Sequence, residues 1–434
     1  MKIARVLLIT FTLLTFVLPV LAQGNSPTAL ILTADGPIMP PMLEYIKRGI
    51  ERGERINAEV IVIQLNTPGG SVDTMLEIMA AIRASDVPVV VYVAPRNAIA
   101  ASAGAMLTLS GHIAAMAPET SIGAASPIAN TGENLDSTSD RKAKELIKAA
   151  IRPYVTPRGE EALALAELMI DEAKAVTADE ALEVNLIDFI ADDTEDLLQA
   201  LNGFTVQMDD GKRVLNTENI QEQTLNMSFI ETLLLLLTNP NIAFLLLAIG
   251  VQAILIEIST PGGWVAGFIG AVCLTLATYG LGVLPINWFG FIFLIIAFIL
   301  FILDIKAAAH GALTAAGVGS FIVGALVLFN SPGTPEFQRV SVPLVIVTGI
   351  FLGLIFFFIL MFALRALRNA IQVGRESLIG KTGTAKTSVK EAGQVQVESE
   401  LWSASKAKDS ESIRKGDLIE VVEVRGLRLI VKKK

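Results

Sequence analysis

The rhythm of apolar and polar positions changes twice along the chain. From residue 28 to about 200, short runs that are apolar nearly throughout alternate with stretches that are apolar on one helical face. Ala29 to Thr33, Val-Ile-Val-Ile-Gln-Leu at 60–65 and Pro-Val-Val-Val-Tyr-Val at 88–93 read as strands buried on both faces. Between them, 40–55 and 71–84 are amphipathic, with Val72, Met75, Leu76, Met79 and Ile82 at helical spacing in the second. A small apolar helix follows Ser102, then a strand from His112 to Met116 ended by Pro118. Helices are expected at 141–152 and 158–173. Thr177 to Ala181 caps a short helix, and Leu186 to Ala191 suits a last strand. Strands alternating with helices imply a largely parallel sheet covered by right-handed crossovers, hence an α/β domain over 28–200. Residues 129–140 form a polar loop of little core potential, and the polar stretch 201–228 reads as a linker.

From 229 the apolar runs become long. Phe229 to Leu237 is too short to span a bilayer and suits its interface. Five spans are expected within a membrane domain at 229–367, at about 241–258, 264–284, 288–305, 312–329 and 343–364, each near the ~20 residues a crossing needs. Arg365, Arg368, Arg375 and Lys381 follow the last of them, whereas the loop at 330–342 carries one arginine. Positive charge stays cytosolic, so the N-terminal domain is expected outside the cytosol and the C-terminus inside. Glu257-Ile258 and Asp304-Ile305 each precede a small-residue helix, a weak sign of duplication. Both acids sit near span ends, where interface snorkelling is the ordinary reading.

Beyond 376 the period becomes two. Gly380 to Ala385, Gln394 to Val397, Leu401 to Ala404, Asp417 to Val424 and Leu427 to Val431 alternate as strands, with a tight turn at Arg425-Gly426. This fits a small all-β barrel over 376–434. Its 12 Lys+Arg against 9 Asp+Glu leave an excess of +3, too small for a nucleic-acid grip, so a protein partner is expected.

Composition agrees. Of 434 residues, 52% are hydrophobic and 18% charged, the balance of an integral membrane protein, and a net charge of −9 argues against nucleic acid. Lys2 and Arg5, the apolar run Val6 to Leu21 and Val20-Leu21-Ala22 read as a secretory signal peptide over 1–22. Cys273, within an apolar stretch, is the sole cysteine, so an intrachain disulfide, a Cys-based zinc site and a thiol nucleophile are excluded. No metal or nucleotide motif occurs, and no cofactor is expected.

Candidate chemistry gathers at strand ends. Ser102 lies between the 88–93 strand and a buried helix, where its hydroxyl can be exposed beside outward-pointing N–H groups. Upstream, Asn66-Thr67-Pro68-Gly69-Gly70 ends another buried strand, and two glycines let a substrate backbone come close. The serine needs a base. His310 falls in a membrane loop, and His112, at a strand start, is better read as a core histidine. That leaves a lysine, which acts as a base only where desolvation strips its charge, at a cost of about 3–4 kcal/mol. Lys142, Lys144 and Lys148 on the 141–152 helix are the candidates, against the alternative that all three form a solvated face.

Asn-x-Pro-Gly-Gly (66–70), Ala-Ala-Ser-Ala-Gly (100–104), Met-Ala-Pro (116–118) and Thr-Ser-Ile-Gly-Ala (120–124), in this order before a membrane block, resemble the NfeD family of membrane-bound serine proteases. The resemblance covers nearly the whole chain. It implies a Clp protease-like (crotonase-type) α/β domain, a polytopic helical membrane domain and an OB-type barrel. It further implies a Ser102–Lys142 dyad, with Lys144 as the alternative base, and an oxyanion hole of Gly69 or Gly70 with Ala103. The implied partner is a stomatin/prohibitin-type membrane protein whose apolar segment is cut, and the implied assembly is a homodimer or higher. Relatives often have glycine where Asn97 stands, and asparagine tolerates the left-handed backbone better than most residues. The competing function is a non-catalytic membrane scaffold for such a partner. A signal-peptide-peptidase relative is disfavoured by the five spans and barrel, and a crotonase-type acyl-CoA enzyme by secretion.

Overall fold

A parallel sheet with apolar residues on both faces forms the centre of the N-terminal domain. The computed structural model describes residues 27–127, 137–259, 263–307, 311–331, 334–368 and 375–434. The expected signal peptide at 1–22, residues 129–136 of the polar loop and His310 lie outside the described residues. The domain contains β1 (Thr28–Asp35), α1 (Pro40–Arg55), β2 (Val60–Asn66), α2 (Val72–Arg83), β3 (Val89–Val93), β4 (Ile99–Ala101), α3 (Ala103–Ser110), β5 (Ile113–Met116) and β6 (Ser121–Gly123). It continues with α4 (Ser137–Val155), α5 (Glu160–Asp171), β7 (Ala175–Thr177), α6 (Ala178–Glu183), β8 (Phe189–Ile190), α7 (Thr194–Ala200), β9 (Thr205–Met208), β10 (Gly211–Val214) and β11 (Gln221–Leu225). The main sheet runs β11-β1-β2-β3-β5-β8, every neighbouring pair parallel.

Leu30, Leu32, Ile61 and Ile63 face the helical layer, where Met42, Ile46, Met75, Ile78 and Ile82 meet them. Ala29, Ile31, Val60, Val62, Val90 and Tyr92 point the other way, under Leu197 and Leu198 of α7 and Val206 and Met208 of β9. Two covered faces leave no position for polar residues, which is why these strands lack a period of two. Each such Val, Leu or Ile contributes roughly 1.5–3 kcal/mol by burial.

The stretch expected as a linker is largely folded into this domain. β9 and β10 form an antiparallel hairpin, and β11 pairs with β1 from Thr28↔Gln221 to Leu32↔Leu225, so the first and last strands lie side by side. The sequence Gln-Glu-Gln-Thr-Leu is polar because β11 is an edge strand whose first four side chains are exposed. Likewise α4 begins at Ser137, ahead of the expected 141.

Helix α8 (Phe229–Leu237) follows, started by a reciprocal capping box between Ser228 and Glu231. Arg48 of α1 clamps Glu231 through both carboxylate oxygens, at 2.8 and 2.7 Å, and donates to the Asn226 carbonyl at 2.9 Å. The Arg48 hydrogen bonds hold the Glu231 carboxyl below its ordinary range, with burial opposing. Tyr45 Oη donates to the Leu225 carbonyl at 2.6 Å. These bonds fasten α8 to the α/β domain.

The membrane helices are α9 (Pro240–Ser259), α10 (Val265–Val283), α11 (Phe289–Ala307), α12 (Ala312–Phe329) and α13 (Val342–Arg368). Among the described residues, four segments are long and apolar enough to cross a bilayer: Pro240–Ile258, Val265–Val283, Ala312–Phe329 and Glu336–Phe358. The third expected span coincides with α11, whose 19 residues are apolar over Phe289–Leu303.

The chain divides into two compact units, one of residues up to Ile295 with Phe321–Val347, the other of Ile296–Ser320 with Thr348–Lys434. Within the first, Glu257 accepts from the backbone N–H groups of Trp264 and Gly267, seven and ten residues on, at 3.1 and 3.2 Å. Within the second, Asp304 accepts from those of Gly311 and Thr314, again seven and ten residues on, at 3.4 and 3.2 Å, and from Thr314 Oγ1 at 2.6 Å. The two acids therefore cap the next helix in each hairpin, with the same spacing in both.

The second unit also holds a closed barrel of β12 (Thr382–Ala385), β13 (Gly393–Val397), β14 (Glu400–Lys406), β15 (Leu418–Arg425) and β16 (Arg428–Lys433), in the order β12-β13-β14-β16-β15. β14 and β16 are parallel and the other pairs antiparallel. Val395, Val397, Ala404, Ile419, Val421, Leu429 and Val431 fill it. Closure removes the sheet edges, which suits a module built from short strands.

Candidate active site

Three of the four sequence strings, 66–70, 100–104 and 120–124, meet around Ser102. β4 leads into it and pairs in parallel with β6, so that Ala101 lies opposite Gly123 and the Ser102 N–H donates to the Gly123 carbonyl at 2.9 Å. The loop after β2 comes from the other side. Thr67 N–H donates to the Ile99 carbonyl at 2.7 Å, and Ala101 N–H to the Thr67 carbonyl at 3.0 Å. Ser102 is half-buried and sits at φ 54°, ψ −118°, a left-handed conformation that turns the chain sharply from strand into α3. Such an outlier costs about 1–3 kcal/mol and persists only where its surroundings enforce it. Asn97, in the preceding turn, adopts φ 66°, the left-handed conformation its sequence position suggested.

Gly69 faces the serine. It has φ 112°, and a Cβ placed there would lie 2.7 Å from Ser102 Cβ and 3.2 Å from Ser102 Oγ. Gly70 forms a bridge with Ile38, flanked by Ile38 N–H to Gly69 carbonyl at 2.8 Å and Ser71 N–H to Ile38 carbonyl at 2.9 Å. The two glycines are not equivalent as donors. Gly69 N–H is engaged by Thr67 Oγ1 at 3.1 Å, whereas Gly70 N–H has no acceptor among the described residues. This corrects the expectation for Gly69, which supplies close approach rather than a free N–H. Thr67, fully buried, was not foreseen; a buried hydroxyl two residues before a glycine is the signal that identifies it. Across the site, α3 has no side-chain cap at Ser102, so the Ala103 N–H at its first position has no side-chain acceptor. An N–H pair flanking a hydroxyl is the arrangement that stabilises an oxyanion formed by attack of that hydroxyl on a carbonyl.

The candidate bases differ sharply. Lys148 is buried and paired with Glu145 and Asp171; the Glu145 hydrogen bond, with those of Asp171, raises its pKa above the ordinary lysine value. Lys144 bonds Asp140 at 3.0 Å and the Asp171 carbonyl at 3.1 Å. Lys142, in the second turn of α4, is exposed and has no ion pair or hydrogen bond among the described residues. Residues 128–136, which connect this helix to the serine side of the domain, lie outside those described.

His112 is at the opposite end of the sheet. Its Nδ1 accepts the Val89 N–H at 3.2 Å, at the start of β3, while Ser102 lies beyond that strand's far end, about 13 Å on at 3.3 Å per residue. Nε2 is buried without a partner, and burial pushes the imidazole down to about 4, with Arg83 acting in the same direction. A folded pKa below the ordinary ~6.5 means the neutral form is favoured on folding. Its contribution, about 3 kcal/mol, is complete above pH ~6.5 and lost as pH falls towards 4. Thermal melts of the detergent-solubilised chain between pH 7 and 4 should show this loss, and His112→Gln should flatten it. Identical pH dependence in both proteins would exclude it.

Comparison with known proteins covers the chain from end to end. Residues 35–209 match the family described as NfeD1b, N-terminal domain, residues 241–362 the NfeD integral membrane domain, and residues 375–433 the NfeD-like C-terminal, partner-binding domain. The chain is 35% identical over 435 residues to a Pyrococcus horikoshii protein named membrane-bound protease PH1510, covering 98% of this chain and 97% of that one. It is 26% identical over 439 residues to membrane protein NfeD1b of Bacillus subtilis, covering 95% and 94%. Among solved structures, it is similar to a mutant of the 1510-N membrane-bound stomatin-specific protease in complex with a substrate peptide, at 32% identity and TM-score 0.45, covering 49% of this chain and 98% of that one.

Proposed function

The chain belongs to the NfeD family, and on that premise we propose that it is a membrane-anchored serine endopeptidase acting through a Ser102–Lys142 dyad. The observation that carries the reading is the positive-φ Ser102 between Gly69 and the uncapped start of α3, with the neighbouring Gly70 N–H left without an acceptor among the described residues. In the reaction, Lys142 Nζ, exposed in the single chain, sheds its proton when bound substrate removes its water, and then takes the proton from Ser102 Oγ as the oxygen attacks a peptide carbonyl. The Gly70 and Ala103 N–H groups hold the developing oxyanion, and Lys142 returns the proton to the leaving amine. Water then hydrolyses the acyl-enzyme by the same proton path.

Lys142 is favoured over Lys144 and Lys148 because the latter two are held by carboxylates, which stabilise the charged amine a base must lose. With Lys142 as the base, its replacement by alanine should lower cleavage of an apolar peptide by about 10²–10⁴-fold, the usual worth of a general base. Lys144→Ala should stay within a few-fold of the parent. Equal rates in all three proteins, measured in detergent micelles, would remove the dyad.

The relative's printed description supports a stomatin-type membrane protein as the partner, engaged by the C-terminal OB-type barrel and cleaved in an apolar segment. The protease domain lies outside the cytosol and the barrel within it, in agreement with the basic residues after the last span. That sidedness requires α11 to cross as well, and its 19 helical residues reach about 28 Å. The protease domain works as a homodimer or higher assembly against the lipid surface.

A further inference from the structure

A cavity of about 430 Å³ lies between the oxyanion loop and the interfacial helix. Pro37, Met39 and Pro68 line it from the α/β domain, Leu235 and Leu236 from α8, and Phe337 from the turn before the last span. Two features tie it to the chemistry. Pro68 is covalently next to Gly69, where an added Cβ would lie 3.2 Å from Ser102 Oγ, so one wall adjoins the residue that faces the serine. The loop of Gly36 and Pro37 continues into Ile38, whose backbone hydrogen bonds fix Gly69 and Ser71. The opposite wall belongs to helices at the bilayer surface, and Leu236 there is 51% exposed.

We propose that this cavity is a specificity subsite that takes a large apolar side chain of the polypeptide substrate as it leaves the bilayer surface. The inference rests on the endopeptidase reading and adds to it the class of residue chosen and the part of the fold that chooses. Its volume suits one short apolar element rather than an extended chain. A polypeptide is the fitting occupant because the wall at Pro68 runs directly into Gly69-Gly70, where a peptide backbone can come close. Arg48 is a positioning residue in this arrangement. By clamping Glu231 it sets α8, and hence Leu235, at its distance from Pro37 and Pro68.

The test uses the full chain in lipid nanodiscs and a peptide library varied at each position around the scissile bond. Leu235→Trp narrows the cavity and Phe337→Ala widens it. At one position, Leu235→Trp should lower kcat/KM for phenylalanine relative to alanine by about 10-fold or more, and Phe337→Ala should shift preference towards tryptophan. Arg48→Ala should blur the same position without moving the others. Fluorophosphonate labelling of Ser102 should be unchanged in all of these. Labelling retained with an unaltered side-chain profile would overturn the subsite alone. A uniform fall for every peptide that varies with lipid composition would also overturn it and assign the cavity to an acyl chain. Absence of labelling in the parent protein would remove the endopeptidase reading and the subsite with it. If Leu235→Trp does not fold, the opposite shift in Phe337→Ala decides.

Discussion

Ser102→Ala should abolish covalent labelling by a fluorophosphonate and lower peptide hydrolysis by about 10⁴-fold or more, with little change in melting temperature. The rate loss follows from removing the nucleophile whose covalent acyl-enzyme the reaction proceeds through. The small effect on stability follows from local geometry. The hydroxyl has no hydrogen-bond partner among the described residues, and alanine keeps the Cβ that already tolerates φ 54°. A change within about 0.5 kcal/mol is expected. Hydrolysis within tenfold of the parent would show that the serine is a packing residue. A collapse in melting temperature would show that its oxygen supports the turn.

Gly69→Ala should lower cleavage by at least about 100-fold and also destabilise the domain. At φ 112° a Cβ is strained whatever space surrounds it, and here it would stand 2.7 Å from Ser102 Cβ. Both partners are held by backbone hydrogen bonds, Gly69 through Ile38 N–H and Ser102 through Gly123, so neither moves away at small cost. A loss of about 1–3 kcal/mol follows from the strain. The fall in rate comes from displacing the serine oxygen relative to the donors, where an error near 1 Å is enough. Urea denaturation beside peptide hydrolysis separates the two effects. Wild-type activity in a destabilised protein would mean that the loop relaxes away from the serine.

The positions that carried most meaning in the sequence were those where physics allows few residue types. Two glycines after a buried strand, an asparagine in a left-handed turn and a serine ahead of an apolar helix all stand where their pattern placed them, because backbone conformation and close packing dictate them. The parallel sheet was readable because strands covered on both faces must be apolar throughout. The edge strand β11 was not, since one open edge and a solvent-facing surface remove the apolar signature, and Gln221 to Thr224 look like loop. Neither was the use of Glu257 and Asp304 as caps for the following helices. An acid at a span end has the same sequence signature whether it reaches water or a neighbouring helix. The difference between Gly69 and Gly70 as donors depended on Thr67, whose hydroxyl acts through space.

The pairing of β11 with β1 sets an order of events during synthesis. The ribosome makes the first strand at once, but the neighbour that protects its outer edge is delivered about 190 residues later. Until Leu225 emerges, that edge is an open template for another chain. Closure arrives just before Ser228 starts α8, so the sheet is completed immediately ahead of the membrane domain. Any free-standing version of the domain therefore has to retain residues 221–225, or it carries an unprotected edge from the start.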